Sequence, residues 1–215
     1  MLYSVNNYKL EPMPFKGIDG KEKDLENLIV ENLQQLSCDE FSLMPIFQER
    51  QWQKEPDIVA LDCKGNLVIF ELKRYCADED ATLQIIRYAQ EYGQMTYFEL
   101  ENEYKKYKGK AEILLSEAHR DAFQLEERLS PEVFNRKQRL IIIGNSSNEK
   151  LIKAVEYWRV QGLDIDFIPY RFYEIGKETY FEFFTKPYDE HLNPADRKGI
   201  IFDSNKSYDD DEICI

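Results

Sequence analysis

The sequence predicts a single α/β (α+β) domain whose elements follow the order α-β-β-β-α, then an insertion, then β-α-β-β. Three observations lead to this fold class. Apolar residues recur at helical spacing before and after a central pair of strands, a short turn joins that pair, and an apolar run of buried-strand length follows later. A chain of 215 residues is ordinarily one domain, and its 43% of hydrophobic residues are enough for a sizeable core.

The N-terminal part of the chain is expected to hold an arm and then a helix. Residues 1–18 show little periodicity and predict an irregular arm ahead of a domain over 19–187. The helix is predicted over roughly 20–36, with Asp19 as its cap and Glu22 in the capping-box position. The apolar residues at helical spacing are Leu25, Leu28, Ile29, Leu33 and Leu36.

Three strands are predicted next. The first spans residues 41–50, and two clearer strands follow over 56–62 and 67–74. Gly65 and Asn66 lie between the last two strands and favour the turn of a β-hairpin. We therefore expect these two strands to pair with each other.

The rest of the chain alternates helices and strands. A second helix is predicted over 79–93, and a charged, mostly helical insertion follows over about 94–136. The remaining predictions are a buried strand over 139–144, a helix over about 148–161, strands over 165–175 and 179–185, and an acidic tail over 188–215.

The composition excludes several classes of protein. Four scattered cysteines and two distant histidines have no zinc-ligand spacing, which excludes a zinc ribbon or a histidine-rich metal site. No apolar run approaches the roughly 20 residues of a membrane span, and the first residues show no signal-peptide pattern. We therefore expect a soluble, cytoplasmic protein without a membrane partner.

A carboxylate and an ammonium group lie at the end of the apolar strand over 67–74. Because side chains alternate between the two faces of a strand, Glu71 and Lys73 share one face. The hairpin places Asp57 within about one position of Glu71 across the strand pair. Buried charges must pair, bind a metal ion or reach solvent. Two carboxylates and one lysine are therefore expected to converge on one patch.

This patch suits Mg²⁺, a hard cation that takes one or two protein carboxylates and keeps several waters. Asp57 and Glu71 are the expected ligands, with the main-chain carbonyl of Leu72 as a further one. Lys73 would position or deprotonate an attacking water, or stabilise the charge of a phosphate. The alternative is an ordinary cross-strand ion pair at a solvated sheet edge.

Pro56-Asp57, followed after a short hairpin by Glu71-Leu72-Lys73, resembles the motif of the PD-(D/E)xK nuclease superfamily. The resemblance implies a restriction-endonuclease-like αβββαβ core, with a mixed sheet flanked by helices and a helical insertion. The likeness extends to the RecB-like branch and to the nuclease domain of mismatch endonucleases. It covers about residues 20–93.

Two further motifs of that branch have counterparts here. Glu26, within Lys23–Leu28, is similar to the acidic residue that those proteins carry on the first helix. Gln84 and Tyr88 match the QxxxY pair on the helix after the ExK strand, and they lie one helical turn apart on one face. The resemblance implies that Glu26 joins the metal ligands. It also implies that Gln84 and Tyr88 orient those ligands or contact the DNA backbone.

The activity implied by the resemblance is that of a Mg²⁺-dependent (or Mn²⁺-dependent) endodeoxyribonuclease, which hydrolyses phosphodiester bonds of a DNA substrate. Proteins of this superfamily often pair, so the oligomeric state stays open between a monomer and a homodimer. The expected catalytic residues are Asp57, Glu71, Lys73, Glu26, Gln84 and Tyr88. The expected metal ligands are Asp57, Glu71, Glu26 and the Leu72 carbonyl.

The net charge of −13 is the main argument against this function, because nucleic-acid-binding proteins usually carry a basic surface. Part of the acidity lies in the tail, at Asp209–Glu212, and metal ligands account for more of it. Two alternatives therefore stay open: a nuclease-fold binding or scaffold protein without turnover, and an acidic mimic of DNA. Arg74 and Arg87 are candidate phosphate contacts, and the lysines over 105–110 form a solvated helix face or a nucleic-acid contact.

Overall fold

A computed structural model describes residues 2–6, 9–36, 42–49 and 55–183 of the chain. Within them the predicted helices and strands occur in the predicted order, after a short N-terminal hairpin. In chain order the elements are β1 (Tyr3–Asn6), β2 (Lys9–Pro12), α1 (Glu22–Leu36), β3 (Met44–Gln48), β4 (Ile58–Leu61), β5 (Leu67–Ala77), α2 (Glu79–Tyr92), α3 (Tyr97–Lys108), α4 (Leu115–Phe123), β6 (Gln138–Ser147), α5 (Glu149–Val160), β7 (Asp164–Ile175) and β8 (Glu178–Phe183).

Six strands form one mixed sheet in the order β3-β4-β5-β6-β7-β8. Neighbouring strands are antiparallel from β3 to β5 and from β7 to β8, whereas β5, β6 and β7 are parallel to one another. Parallel neighbours need crossover connections, and these connections contain α2 and α5. The mixed sheet with its flanking helices confirms the predicted fold class.

Two apolar cores lie on opposite faces of this sheet, and the side chains of β5 alternate between them. Leu67 and Ile69 pack in the core that includes α2 and α5, whereas Val68 and Leu72 pack in the core that includes α1. A shift of one residue would exchange these two sets between the faces, so burial on both sides specifies the register. The same alternation places Glu71 on the face of Leu67 and Ile69, as predicted. In the structure α2 covers this face.

The turn between β4 and β5 has the predicted chemistry. Gly65 has a φ of 79°, in the left-handed region that favours glycine. The Asp62 carboxylate accepts hydrogen bonds of 2.8 Å from the main-chain N–H groups of Lys64 and Asn66. These contacts close the hairpin that carries the candidate site at its other end.

The N-terminal residues differ from the prediction. β1 and β2 pair as an antiparallel hairpin in a region expected to be irregular. Val5 lies opposite Leu10, and the two residues are 73% and 65% exposed. Because neither side chain enters a core, the hairpin lacks the alternation of buried and exposed residues by which sequence patterns indicate a strand.

The start of α1 also differs from the prediction. The helix begins at Glu22, so Asp19 lies too far upstream to cap it, and the Asp19 carboxylate pairs with Lys16 instead. The Asp24 carboxylate accepts a 2.6 Å hydrogen bond from the Lys21 main-chain N–H at the helix start. An acid inside the first turn therefore replaces the predicted cap.

The predicted insertion over about 94–136 contains α3, α4 and a 3₁₀ turn over Pro131–Val133. His119 of α4 is fully buried, and its Nε2 lies 2.8 Å from the main-chain oxygen of Asp62 in the β4–β5 turn. The insertion is thus packed against the β4–β5 hairpin.

Some predictions lie outside the described residues. They include the two ends of the first predicted strand, Phe41 and Arg50, and the acidic tail over 188–215. No helix in the described ranges is both long and apolar enough to cross a membrane.

A matched pair of substitutions in α2 tests the packing of this helix on the sheet. Ile85 is fully buried, whereas Leu83 is 63% exposed. We expect Ile85→Ala to lower the free energy of unfolding by about 2–5 kcal/mol, because it leaves a cavity. We expect Leu83→Ala to change it by less than about 0.5 kcal/mol. Urea denaturation followed by circular dichroism measures both, and equal losses would contradict this packing.

Candidate metal centre

The β4–β5 hairpin brings two carboxylates together. Ile58 pairs with Phe70, which places Asp57, the residue before β4, beside Glu71. Asp57 Oδ2 accepts a 2.5 Å hydrogen bond from the main-chain N–H of Leu72. Asp57 is 7% exposed and Glu71 is 1% exposed. The structure therefore places both carboxylates together, as the sequence predicts, and buries them.

A hydrogen-bonded chain links this hairpin to α2. The Lys73 ammonium lies 2.5 Å from Glu71 Oε1 and 3.4 Å from Gln84 Oε1. Gln84 Nε2 donates a 3.1 Å hydrogen bond to the hydroxyl of Tyr88. Because Gln84 and Tyr88 are one turn apart, both reach the side of the sheet that Lys73 faces.

Two more carboxylates approach Asp57, one from α1 and one from the end of β3. Glu26 of α1 is 2% exposed, and Glu49 directly follows β3. One carboxylate oxygen from each of Glu26, Glu49 and Asp57 lies within 4.8 Å of the other two. We call these three residues the acidic cluster. Gln48 Nε2 donates a 3.4 Å hydrogen bond to Glu26, which holds one member in place.

Sequence reasoning does not identify Glu49, because it leaves the partner of the first predicted strand unassigned. In the structure β3 pairs antiparallel with β4, with Gln48 opposite Ile58. The main-chain N–H of Glu49 donates a 2.9 Å hydrogen bond to the main-chain oxygen of Asp57. Pairing the first predicted strand with the strand that follows Asp57 would have identified Glu49, because that pairing places the Glu49 carboxylate beside Asp57 in addition to Glu71.

Lys23 supplies a positive charge inside the acidic cluster. Its ammonium pairs with Glu26 Oε2 and donates a 2.6 Å hydrogen bond to the main-chain oxygen of Glu49. Lys23 lies three residues before Glu26 on α1, so the two side chains share a face. An ammonium group therefore pairs with a member of the acidic cluster, in the same way that the Lys73 ammonium pairs with Glu71.

Crowding and burial change the acidity of these groups. Burial raises the pKa of Asp57 well above its usual range, and the nearby charge of Glu71 adds to the effect. Burial raises the pKa of Glu71 to about 7, although its attraction to Lys73 opposes the change. Burial also raises the pKa values of Glu26 and Glu49. Carboxylates packed this closely ionise fully only when more positive charge is present.

The donor set fits a hard divalent cation. The side-chain donors are carboxylate oxygens, which Mg²⁺ and Mn²⁺ prefer. Glu71 Oε2 is buried and accepts no hydrogen bond within the part of the chain that the structure describes. The acidic cluster and Glu71 could therefore hold a metal ion. The Leu72 main-chain N–H is bonded to Asp57, and the role of the Leu72 carbonyl as a ligand stays a prediction.

Comparisons with known sequences show a partial likeness. No family model matches the chain. The chain is 35% identical over 98 residues to Endonuclease NucS of Pyrococcus horikoshii, and 33% identical over 97 residues to Endonuclease NucS of Pyrococcus abyssi. Each match covers 43% of this chain and 38% of the relative, so the chain matches well under half the length of these curated relatives.

Comparisons with solved structures show a looser likeness. A repair endonuclease from Pyrococcus abyssi has a TM-score of 0.37 at 22% identity, over 71% of this chain and 47% of that one. A complex of EndoMS with dsDNA has a TM-score of 0.37 at 17% identity, over 74% and 50% of the two chains. EndoMS in its apo form has a TM-score of 0.39 at 20% identity, over 71% and 48%. Scores at this level support no conclusion about function.

The raised pKa of Glu71 predicts that the stability of the metal-free protein depends on pH. The pKa is about 7 in the folded state and 4.5 ordinarily, so between these values the folded state binds a proton that the unfolded state has released. The free energy of unfolding therefore falls as the pH rises through this window, by roughly 3 kcal/mol at most from this group. Urea denaturation in EDTA at several pH values measures the loss.

Two variants serve as a test and a control. Glu71→Gln cannot ionise, so we expect it to lose less stability over the same window than the unchanged protein. Glu117→Gln alters a half-exposed carboxylate that pairs with Arg128, and we expect it to follow the unchanged protein. An equal pH dependence in Glu71→Gln and the unchanged protein would contradict the shift.

Proposed function

We propose that this chain is a metal-dependent nuclease of the PD-(D/E)xK type, which hydrolyses phosphodiester bonds in DNA. The observation that carries the proposal is the burial of Asp57 and Glu71 side by side, with the Lys73 ammonium 2.5 Å from Glu71. An ordinary ion pair at a sheet edge would be solvated, whereas these carboxylates are not. The similarity to two proteins named as endonucleases supports the same reaction class.

Mg²⁺ or Mn²⁺ is the cofactor that the donor set favours. Asp57, Glu71 and Glu26 would hold it, with the Leu72 carbonyl as a further ligand, as the resemblance implies. We add Glu49, because one of its carboxylate oxygens lies within 4.8 Å of those of Glu26 and Asp57. When bound, the cation supplies Lewis-acid polarisation of the phosphate and offsets the repulsion among the carboxylates.

The remaining groups act on the substrate through position and charge. In hydrolysis a water oxygen attacks the phosphorus, one P–O ester bond breaks, and the leaving oxygen takes up a proton. The Lys73 ammonium donates a hydrogen bond to the phosphate oxygen on which negative charge increases. Gln84 holds Lys73 through its Oε1, and Tyr88 holds Gln84, so both are positioning residues.

A second candidate is a nuclease-fold binding protein without turnover. Lys23 and Lys73 already pair with Glu26 and Glu71, so two ammonium groups offset part of the carboxylate charge in the absence of a metal ion. The net charge of −13 also favours a function that needs no contact with DNA. The two candidates differ in whether the centre binds a divalent cation.

Calorimetric titration with Mn²⁺ separates these candidates. A nuclease centre is expected to bind the ion, and Asp57→Asn is expected to abolish binding because Asp57 belongs to the acidic cluster and lies beside Glu71. We expect Glu49→Gln to weaken the affinity by at least about tenfold, whereas Glu117→Gln leaves it unchanged. Absence of binding by the unchanged protein at millimolar Mn²⁺ would favour the binding protein.

Cleavage of plasmid DNA in the presence of Mg²⁺ tests the activity itself. We expect Asp57→Asn and Lys73→Ala each to reduce the rate by at least about 100-fold, because each removes a charge that the reaction needs. The matched controls are Asp121→Asn and Lys64→Ala, at exposed positions away from the centre, and both should cleave normally. Gel electrophoresis measures the rate, and circular dichroism checks folding. Activity that survives in both Asp57→Asn and Lys73→Ala would place the reaction elsewhere.

A further inference from the structure

A lysine ammonium lies against the acidic cluster. Lys23 belongs to α1, and its ammonium pairs with Glu26 Oε2 and donates a 2.6 Å hydrogen bond to the main-chain oxygen of Glu49. Glu26 and Glu49 are two of the three members of the cluster. The ammonium therefore joins α1 to the end of β3 through the same residues whose carboxylates could hold a divalent cation.

The position of Lys23 on the helix does not account for this pairing. Lys23 is the second residue of α1, where the positive end of the helix dipole opposes a cation. Its neighbours Glu22 and Asp24 are acids, as that end of a helix favours. A lysine that precedes a glutamate along a helix is also the weaker of the two possible orders. The attraction that holds the ammonium here therefore comes from the carboxylates around it.

The pair of Lys23 and Glu26 also differs from a pair on a solvated helix face. The Glu26 side chain is 3% exposed, whereas that of Lys23 is 32% exposed. In α5 the side chains of Lys153 and Glu149 are 63% and 33% exposed, as in an ordinary surface pair. A buried carboxylate needs a compensating charge. Lys23 supplies that charge to Glu26 while its own side chain still reaches solvent.

The ammonium and a divalent cation would compete for Glu26. Mg²⁺ and its oxygen ligands lie about 2.1 Å apart. Two cations on one carboxylate would therefore lie within roughly 7 Å of each other and repel. The flexible four-carbon stem of Lys23 is partly exposed, so the ammonium can turn toward water without any change in the helix.

We propose that Lys23 is the resident counter-ion of the acidic cluster and that a divalent cation displaces its ammonium on binding. The inference rests on the proposed nuclease function and adds a residue that sets the metal affinity of the centre. In the metal-free protein the ammonium stabilises Glu26, and in the metal-bound protein it turns to solvent. Because that contact is lost when the metal binds, Lys23 stabilises the metal-free state and lowers the affinity for the metal.

Calorimetric titration with manganese chloride tests the exchange, at about pH 8 so that protons compete little with the metal ion. Lys23→Met keeps the length of the side chain and removes its charge, and we expect it to bind Mn²⁺ at least about fivefold more tightly than the unchanged protein. Lys23→Arg keeps the charge and should bind Mn²⁺ no more tightly than the unchanged protein. The matched control is Lys21→Met, at an exposed position just before α1, which should leave the affinity unchanged.

Two further measurements report on the ammonium itself. In EDTA, we expect Lys23→Met to unfold at a lower urea concentration than Lys21→Met, because it leaves Glu26 without its counter-ion. Brief acetylation followed by mass spectrometry shows how accessible each ammonium group is. In the unchanged protein, we expect saturating Mn²⁺ to increase the acetylation of Lys23 and to leave that of Lys21 unaltered. Circular dichroism confirms that each variant is folded.

The outcomes distinguish the counter-ion from the nuclease. If the unchanged protein binds Mn²⁺, equal or weaker binding by Lys23→Met overturns the exchange and leaves the metal centre in place. Acetylation of Lys23 that Mn²⁺ does not alter overturns it in the same way. If Lys23→Met binds Mn²⁺ and the unchanged protein does not, the counter-ion is supported and the metal-dependent nuclease is refuted. Absence of binding by both proteins refutes both proposals.

Discussion

The rest of the structure depends on the burial of two carboxylates, Asp57 and Glu71, side by side at one end of the central hairpin. Each ionised carboxylate removed from water costs several kcal/mol unless hydrogen bonds or opposite charges compensate it, and the two also repel each other. The Leu72 main-chain N–H and the Lys73 ammonium compensate part of this cost. Glu71 Oε2, however, is buried without a hydrogen-bond donor among the described residues. The arrangement is therefore incomplete as a purely structural ion pair, and a divalent cation is the group that would complete it.

The fold keeps this arrangement in place. β5 lies inside the sheet and is buried on both faces, so it cannot shift in register without exchanging the apolar sets of two cores. Each face also delivers polar groups to the centre: α1 contributes Glu26 and Lys23, and α2 contributes Gln84 and Tyr88. Because these residues lie on helices and strands packed in the core, their positions depend on the whole domain and not on a single loop.

The charge of the chain affects how it could meet a nucleic acid. A surface with an excess of acid repels phosphate, so long-range attraction does not explain binding. Local cations have to act at the centre itself, where the Lys73 ammonium lies beside Glu71 and the Lys23 ammonium pairs with Glu26. A metal ion held by the acidic cluster would add to this local positive charge. The acidity of the whole molecule and the affinity of one site for phosphate are therefore separate quantities.

The sequence by itself determined the features that depend on local spacing. Alternation along a strand put Glu71 and Lys73 on one face, the turn at Gly65 and Asn66 brought Asp57 beside Glu71, and one helical turn aligned Gln84 with Tyr88. Periods of two and 3.6 residues are properties of the backbone, so they can be read without tertiary contacts. Only the tertiary structure decided that Glu49 joins Glu26 and Asp57, because that contact requires the pairing of β3 with β4 and the packing of α1.

The same distinction explains the remaining differences. The exposed N-terminal hairpin has no buried face to produce a sequence pattern, and the cap of α1 depends on which residue begins the helix. Contacts between residues distant in sequence depend on how complete elements pack, and their spacing along the chain does not contain that information.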